Sequence, residues 1–198
     1  MNETDFMAEP WHGPVWEGVD VEGEGVSLVD LSRRRRFGVK GPNAASWLSN
    51  QALPVSAENN RAEAANAVVT ARLAPGEILL LAGETGGGII LNNLSFALDR
   101  DHPAGCYAVP RQDMSAWFRL TGKQAPRLMA ELCAIDLRPH RFVEGFVAQT
   151  SVANHSAIVV RSDRKSAYGL DLLTDFSGAG YFWKVLAEKV DHWSGGSG

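Results

Sequence analysis

Hydrophobic and polar positions follow two patterns along this chain: alternation over short stretches, and helical spacing over the segments after them. Residues 36–40 alternate, and Gly41-Pro42 then ends the strand and opens a helical segment. Two short apolar runs, 67–73 and 77–82, are separated by a Pro-Gly turn, which predicts a β-hairpin. Residues 89–98 return to helical spacing. The first half is therefore predicted as strand, helix, strand, strand, helix.

The second half shows the same pattern with one strand added. Residues 116–121 are strand-like, and residues 125–132 place apolar side chains at the spacing of one helical face. Three more strands are predicted, at 146–152, 157–161 and 168–173. A last helix follows, with Asp175 or Ser177 as its cap and a predicted buried face formed by Tyr181, Phe182, Val185, Leu186 and Val190. The polar residues 55–64 of the first half are expected to form a long connection.

One segment of the sequence, named the repeated phrase, occurs twice. An Asp-x-Ser triplet at Asp30 leads into residues 37–44, and one at Asp113 leads into residues 118–125, which match 37–44 at an offset of 81 residues. A repeat of this length indicates a duplicated supersecondary unit. We predict an α+β fold in which two pseudo-repeated strand-helix-strand-strand-helix units form a pseudo-twofold pair of sheets with helices outside. The predicted ranges are an irregular arm 1–27, the repeats 28–105 and 106–193 in one compact domain, and a flexible tail 194–198.

Composition narrows the classes of function. The chain has 198 residues, 45% of them hydrophobic and 21% charged, which is ordinary for a globular protein. A net charge of −4 disfavours nucleic-acid binding, which requires a basic face. The two cysteines, Cys106 and Cys133, lack a metal-binding or redox spacing and are predicted to be small core residues of a cytoplasmic protein. No signal peptide and no apolar stretch long enough for a membrane span are expected.

Candidate chemistry is sparse. Residues 86–88 are all glycine but lack the residues of a phosphate-binding loop, so a flexible turn is favoured. The arginine run 33–36 is either a solvated turn or a contact for an acidic partner. Asp30 and Asp113 are interpreted as turn and cap residues. The histidines show no metal-ligand spacing: His12, His102, His140, His155 and His192. We predict no catalytic, cofactor-binding or metal-binding residue in this chain.

These motifs also carry a family resemblance. The first copy of the repeated phrase, residues 30–48, looks like the opening of the aminomethyltransferase (glycine-cleavage T-protein) superfamily. The second half is similar to the gamma subunit of heterotetrameric sarcosine oxidase. That similarity is carried by residues 118–122, 125–133, 136–139, Phe142 and 148–153, and the whole resemblance covers about residues 28–190.

The resemblance implies a non-catalytic gamma subunit of a flavoenzyme that oxidatively demethylates an N-methyl amino acid such as sarcosine. Such complexes pass the one-carbon unit to tetrahydrofolate. Their alpha, beta and delta subunits are the implied partners; FAD, FMN, NAD and tetrahydrofolate are held by the large subunits and zinc by the smallest. Nucleic acid and membrane are not expected partners. Trp11, Trp16 and Trp117 are predicted to be buried against the larger subunits.

Two alternatives remain open from the sequence. The chain could be a minimal folate-dependent aminomethyltransferase, which requires a pterin-sized pocket with a carboxylate at its base, supplied by Asp30 or Asp113. It could instead be a stand-alone module that binds a folate or a flavin. The N-terminal arm is likewise open to two interpretations, because its tryptophans could cover their own domain or dock on a partner protein.

Overall fold

Two antiparallel five-stranded sheets with helices packed on them form the fold in the computed structural model, which describes residues 25–83, 85–163 and 167–195. The strands are β1 Ser27–Asp30, β2 Arg36–Lys40, β3 Arg61–Ala65, β4 Val68–Ala74, β5 Glu77–Ala82, β6 Tyr107–Pro110, β7 Ser115–Thr121, β8 Val147–Val152, β9 His155–Arg161 and β10 Gly169–Asp175. The helices are α1 Ala44–Asn50, α2 Gly87–Asp101, α3 Ala125–Ala130 and α4 Ala179–Gly195, the last preceded by a 3₁₀ turn, Phe176–Gly178. None of these helices is long and apolar enough to cross a membrane.

The strand orders of the two sheets correspond element by element. The first sheet runs β3-β4-β5-β2-β6 and the second β8-β9-β10-β7-β1. Strand β1 pairs with β7, with Leu28 opposite Leu120, and β6 pairs with β2, with Ala108 opposite Val39. Each half of the chain therefore contributes its leading strand to the sheet of the other half. The α+β class and the two antiparallel sheets agree with the prediction from the sequence.

Three apolar layers hold these elements together. Helices α1 and α2 cover one face of the first sheet, and α3 and α4 cover one face of the second. The third layer lies where the remaining faces of the sheets meet, and Leu79, Trp117, Val160 and Leu173 belong to it. Trp117 is 1% exposed within this layer. The prediction that it is buried against another subunit is therefore wrong, because the facing sheet of the same chain already covers it.

Three local predictions also differ from the structure. Residues 55–64 contain the start of β3, an edge strand rich in alanine and charge that lacks the apolar alternation of the other strands. Tyr181 is exposed and stacks on His155 at a ring-centroid distance of 5.1 Å instead of facing the core. Helix α4 includes Ser194 and Gly195, which the sequence predicts to be part of the flexible tail. Asp175 does cap this region, since its carboxylate accepts hydrogen bonds from Ser177 N and Oγ.

Gly41 and Gly122, the matching glycines of the repeated phrase, make equivalent close contacts. Their φ angles are 130° and 121°, values that disfavour any residue with a side chain. A Cβ atom at Gly41 would lie 2.1 Å from the carbonyl oxygen of Gly105, and one at Gly122 would lie 2.1 Å from that of Gly25. The carbonyl in each case belongs to the segment just before β6 or β1. These glycines therefore allow the segments that lead into β6 and β1 to pass close to the sheet of the other half of the chain.

We predict that Gly41→Ala and Gly122→Ala each lower the free energy of unfolding by about 2–3 kcal/mol, through positive-φ strain and a backbone clash. Gly180→Ala is the control, because Gly180 lies in the first turn of α4 with open space around its Cα. That control should be neutral or slightly stabilising. Urea denaturation monitored by circular dichroism measures all three. Equal midpoints for Gly41→Ala and Gly180→Ala would contradict the prediction.

Candidate functional site

A cavity of about 540 Å³ opens at one end of the layer between the two sheets. Leu79 of β5 lines it from the first sheet, while Ile158 of β9 and Leu173 of β10 line it from the second. Ile158 and Leu173 are neighbours across the β9–β10 ladder, so their side chains lie on the same face. The cavity thus continues the apolar layer between the sheets toward the surface.

Polar side chains of the second sheet line the rest of the cavity. Ser151 of β8 and Ser156 of β9 are opposite each other in the ladder, and Asp175 of β10 is opposite Ser115 of β7. The Ser151 and Ser156 hydroxyls make no hydrogen bond to any described residue. Gln149 closes one side, because its amide nitrogen donates to the Leu73 carbonyl oxygen of the first sheet at 2.8 Å. Hydroxyl groups and one carboxylate therefore surround an apolar floor.

The cationic group of the cavity is Arg111, from the loop between β6 and β7. Its guanidinium forms an ion pair with Glu77, whose other carboxylate oxygen lies 3.6 Å from Lys40 Nζ. The Arg111 Nε atom is buried and has no hydrogen-bond partner among the described residues. A Cβ atom on Gly38 would lie 3.3 Å from this nitrogen, so the glycine leaves the space in which the guanidinium lies.

A buried arginine, Arg36, joins the two sheets beside the cavity. Its guanidinium donates to the carbonyl oxygens of Ser32 and Gln112, each at 2.7 Å, and to the carbonyl oxygen of Ser115. Arg36 is 1% exposed, and burial lowers its pKa to about 10, so it remains charged at neutral pH. Of the arginine run, Arg33 is exposed, and Arg34 and Arg35 are half-buried. The prediction of a solvated turn is therefore wrong for Arg36, because its guanidinium is buried and donates hydrogen bonds to three carbonyl groups inside the fold.

Asp30 and Asp113, the candidate carboxylates for a pterin pocket, do not line the cavity. Asp30 accepts a hydrogen bond from Ser32 N at 2.8 Å, the turn role predicted for it. Asp113 lies near the basic run instead, where its charge raises the pKa of Arg35 while burial, the larger effect, lowers it.

The other motifs have structural roles in the fold. Gly86 precedes helix α2 with a φ of 80°, and Gly87 packs on the Ala67 carbonyl, so the glycine run is a tight turn into a helix. Cys106 and Cys133 are both buried and unpaired, and burial raises the pKa of the Cys106 thiol. In the described ranges no three His, Cys, Asp or Glu side chains cluster as metal ligands. Trp11 and Trp16 lie outside the described residues.

A second feature is an apolar stripe on the outer face of α2. Ile89 and Phe96 are 69% and 60% exposed, although both are large hydrophobic residues. They are seven residues apart on one helix and so lie on the same side of it. Leu91, Leu94 and Leu98 cover the first sheet from the opposite side of the same helix. The outer side of this helix therefore presents two large apolar side chains, with Asn92 and Asn93 between them, that the described chain leaves mostly uncovered.

Solved structures with this fold include two informative cases. One is a chain of the heterotetrameric sarcosine oxidase from Corynebacterium sp. U-96, in complex with pyrrole 2-carboxylate; the TM-score is 0.71, the identity 20%, and the match covers 88% of each chain. The other is glycine cleavage system aminomethyltransferase T from Bartonella henselae, with a TM-score of 0.63 and 20% identity over 84% of this chain. This chain spans only 45% of that second protein.

Sequence-based comparison gives no relative: no protein-family model and no curated protein matches the chain. The structural likenesses are to the two kinds of protein that the repeated phrase and the second half resembled, so that prediction is confirmed. At this level of identity they establish the fold.

Proposed function

We propose that this chain is a non-catalytic, gamma-type subunit of a heterotetrameric sarcosine oxidase-type flavoenzyme. The observation that carries the proposal is the match in both directions to a chain of such an enzyme, which covers 88% of each partner. The match to the aminomethyltransferase leaves more than half of that protein uncovered. The likeness therefore extends over most of one oxidase chain and over less than half of the transferase.

In this role the chain supplies packing surface in the cytoplasmic complex. The alpha, beta and delta subunits are its proposed partners, and the flavins, NAD and tetrahydrofolate belong to those partners. The apolar stripe of α2 supports the proposal, because large apolar groups exposed together on one face are typical of surfaces that a partner covers. Sarcosine or another N-methyl amino acid would be oxidised on a partner subunit.

The ligand-binding module is the second candidate function, and the inter-sheet cavity is the observation that favours it. The folate-dependent transferase is less well supported, because Asp30 and Asp113 do not line this cavity. Titration of the purified chain with tetrahydrofolate distinguishes a folate-binding module or a transferase from a subunit that binds no folate itself. Stoichiometric folate binding together with aminomethyl transfer by the lone chain would favour the transferase.

We predict that the double substitution Ile89→Ser and Phe96→Ser weakens association with the partner subunits by about 30-fold or more, since aromatic and large apolar groups dominate binding energy at interfaces. Both side chains are exposed, so the thermal stability of the isolated chain should change little. The matched control is Lys184→Ser with Glu188→Ser, an exposed pair on α4. Co-purification of the complex and native mass spectrometry measure the effect. If the α2 variant assembles as well as the unsubstituted chain, the outer face of α2 does not contact the partner subunits.

A further inference from the structure

We propose that the inter-sheet cavity binds a small organic anion that has one carboxylate and an apolar body. This inference goes beyond the assembly role and does not depend on it. It rests on three properties of the cavity: a cation with unused donor capacity, an apolar floor, and hydroxyl groups around that floor.

The charge at Arg111 is only partly neutralised. Glu77 is shared between Arg111 and Lys40, so these three side chains together keep one positive charge. The guanidinium has five N–H donors in a planar fork that matches a carboxylate. Its Nη2 donates to Glu77 and its Nε is buried, whereas Nη1 is not buried and donates to no described residue. Nη1 is therefore the donor that an anionic oxygen in the cavity can reach, in a charge-assisted hydrogen bond.

The rest of the cavity selects the body of the ligand. Leu79, Ile158 and Leu173 form an apolar floor, and the Ser151 and Ser156 hydroxyls lie at the same end of the second sheet. A volume of about 540 Å³ lies within the range typical of small-molecule sites. Asp175 adds a negative charge to the lining and thereby disfavours polyanions such as nucleotides. One carboxylate joined to an apolar chain or ring is the chemistry that fits all of these groups.

The test compares two fluorescent probes on the full chain: 8-anilinonaphthalene-1-sulfonate and its uncharged analogue N-phenyl-1-naphthylamine. Arg111→Gln should weaken binding of the sulfonate probe about tenfold, because a hydrogen bond to a charged group is lost, and should leave the uncharged probe unaffected. The matched control is Arg127→Gln, which removes an exposed arginine on α3, outside the cavity lining. Octanoate should displace the sulfonate probe at about tenfold lower concentration than octanol, because only octanoate pairs with the guanidinium.

A second variant keeps the proposal testable if Arg111→Gln is unstable. Ser156→Trp fills the cavity and leaves Arg111 and its ion pair in place, and it should abolish binding of both probes at an unchanged unfolding midpoint. Ile89→Ser with Phe96→Ser should leave probe binding intact, because those residues lie on the α2 stripe. Equal sulfonate affinities for Arg111→Gln and Arg127→Gln would overturn the inference. So would saturable binding that survives Ser156→Trp.

Discussion

Replacement of Arg36 by methionine is expected to lower the free energy of unfolding by about 3–5 kcal/mol. The guanidinium is buried where the connections before β2 and β7 meet. Methionine replaces the aliphatic part of the side chain, does not reach the positions of the two Nη atoms and donates nothing. The carbonyl oxygens of Ser32, Gln112 and Ser115 would each lose a charged donor inside the protein. Buried acceptors without a partner carry their full desolvation cost.

Urea denaturation of Arg36→Met beside Arg33→Met gives a controlled comparison. Arg33 is the exposed member of the same run, so its replacement should change the unfolding free energy by less than about 0.5 kcal/mol. Because Arg36 connects both halves of the chain, its variant should also unfold in a single transition displaced to lower urea. Similar midpoints for the two variants would show that the buried guanidinium contributes little.

The second large effect is expected at Asp171, which is completely buried in β10. Its carboxylate accepts two hydrogen bonds from Arg119 Nη2, at 2.7 and 2.9 Å, one from Arg119 Nε at 2.9 Å and one from Trp117 Nε1 at 2.8 Å. Asp171→Asn preserves the shape and an acceptor for the indole but removes the negative charge that pairs with Arg119. We expect it to cost about 3 kcal/mol, because breaking a buried, hydrogen-bonded ion pair is strongly destabilising.

A double-mutant cycle isolates the charge pairing from the loss of shape. Arg119→Met removes the cation, so Asp171→Asn combined with Arg119→Met contains neither buried charge. The double variant should be more stable than Asp171→Asn alone, with a coupling energy of about 2–3 kcal/mol between the two sites. Unfolding free energies of the four proteins at constant salt concentration provide the measurement. Strictly additive losses would mean that the pair is not energetically coupled.

The predictable part of the fold is the part in which apolar residues repeat with one clear period. Strands β4, β5 and β7 and the first turns of α2 have such patterns, and the structure places them within a few residues of the predicted ranges. Strand β3 was missed because its alternation involves alanine and charged residues at a sheet edge. The sequence pattern also does not predict that β1 pairs with β7. Pairing between strands of different halves depends on long-range register, whereas the pattern reports only local periodicity.

The candidate site was less predictable than the fold. Arg111, Ser151 and Ser156 belong to no motif, and they meet only because the two sheets face each other. Arg36 looked like part of a surface basic run, because charge patterning does not reveal which member of a run turns inward. Gly38 was the one available signal, as a glycine inside a predicted strand often marks a close approach. The groups that approach it are Val109 of the neighbouring strand and, slightly farther away, the Arg111 side chain.

Purification of the tagged full chain from its native host, followed by a visible spectrum and native mass spectrometry, tests the proposed subunit role most directly. We predict a yellow complex that contains two larger flavin-bearing subunits and one small zinc-binding subunit, and that oxidises an N-methyl amino acid with formation of hydrogen peroxide. A colourless chain that purifies alone, with no flavin and no partner at stoichiometric amounts, would contradict the proposed role.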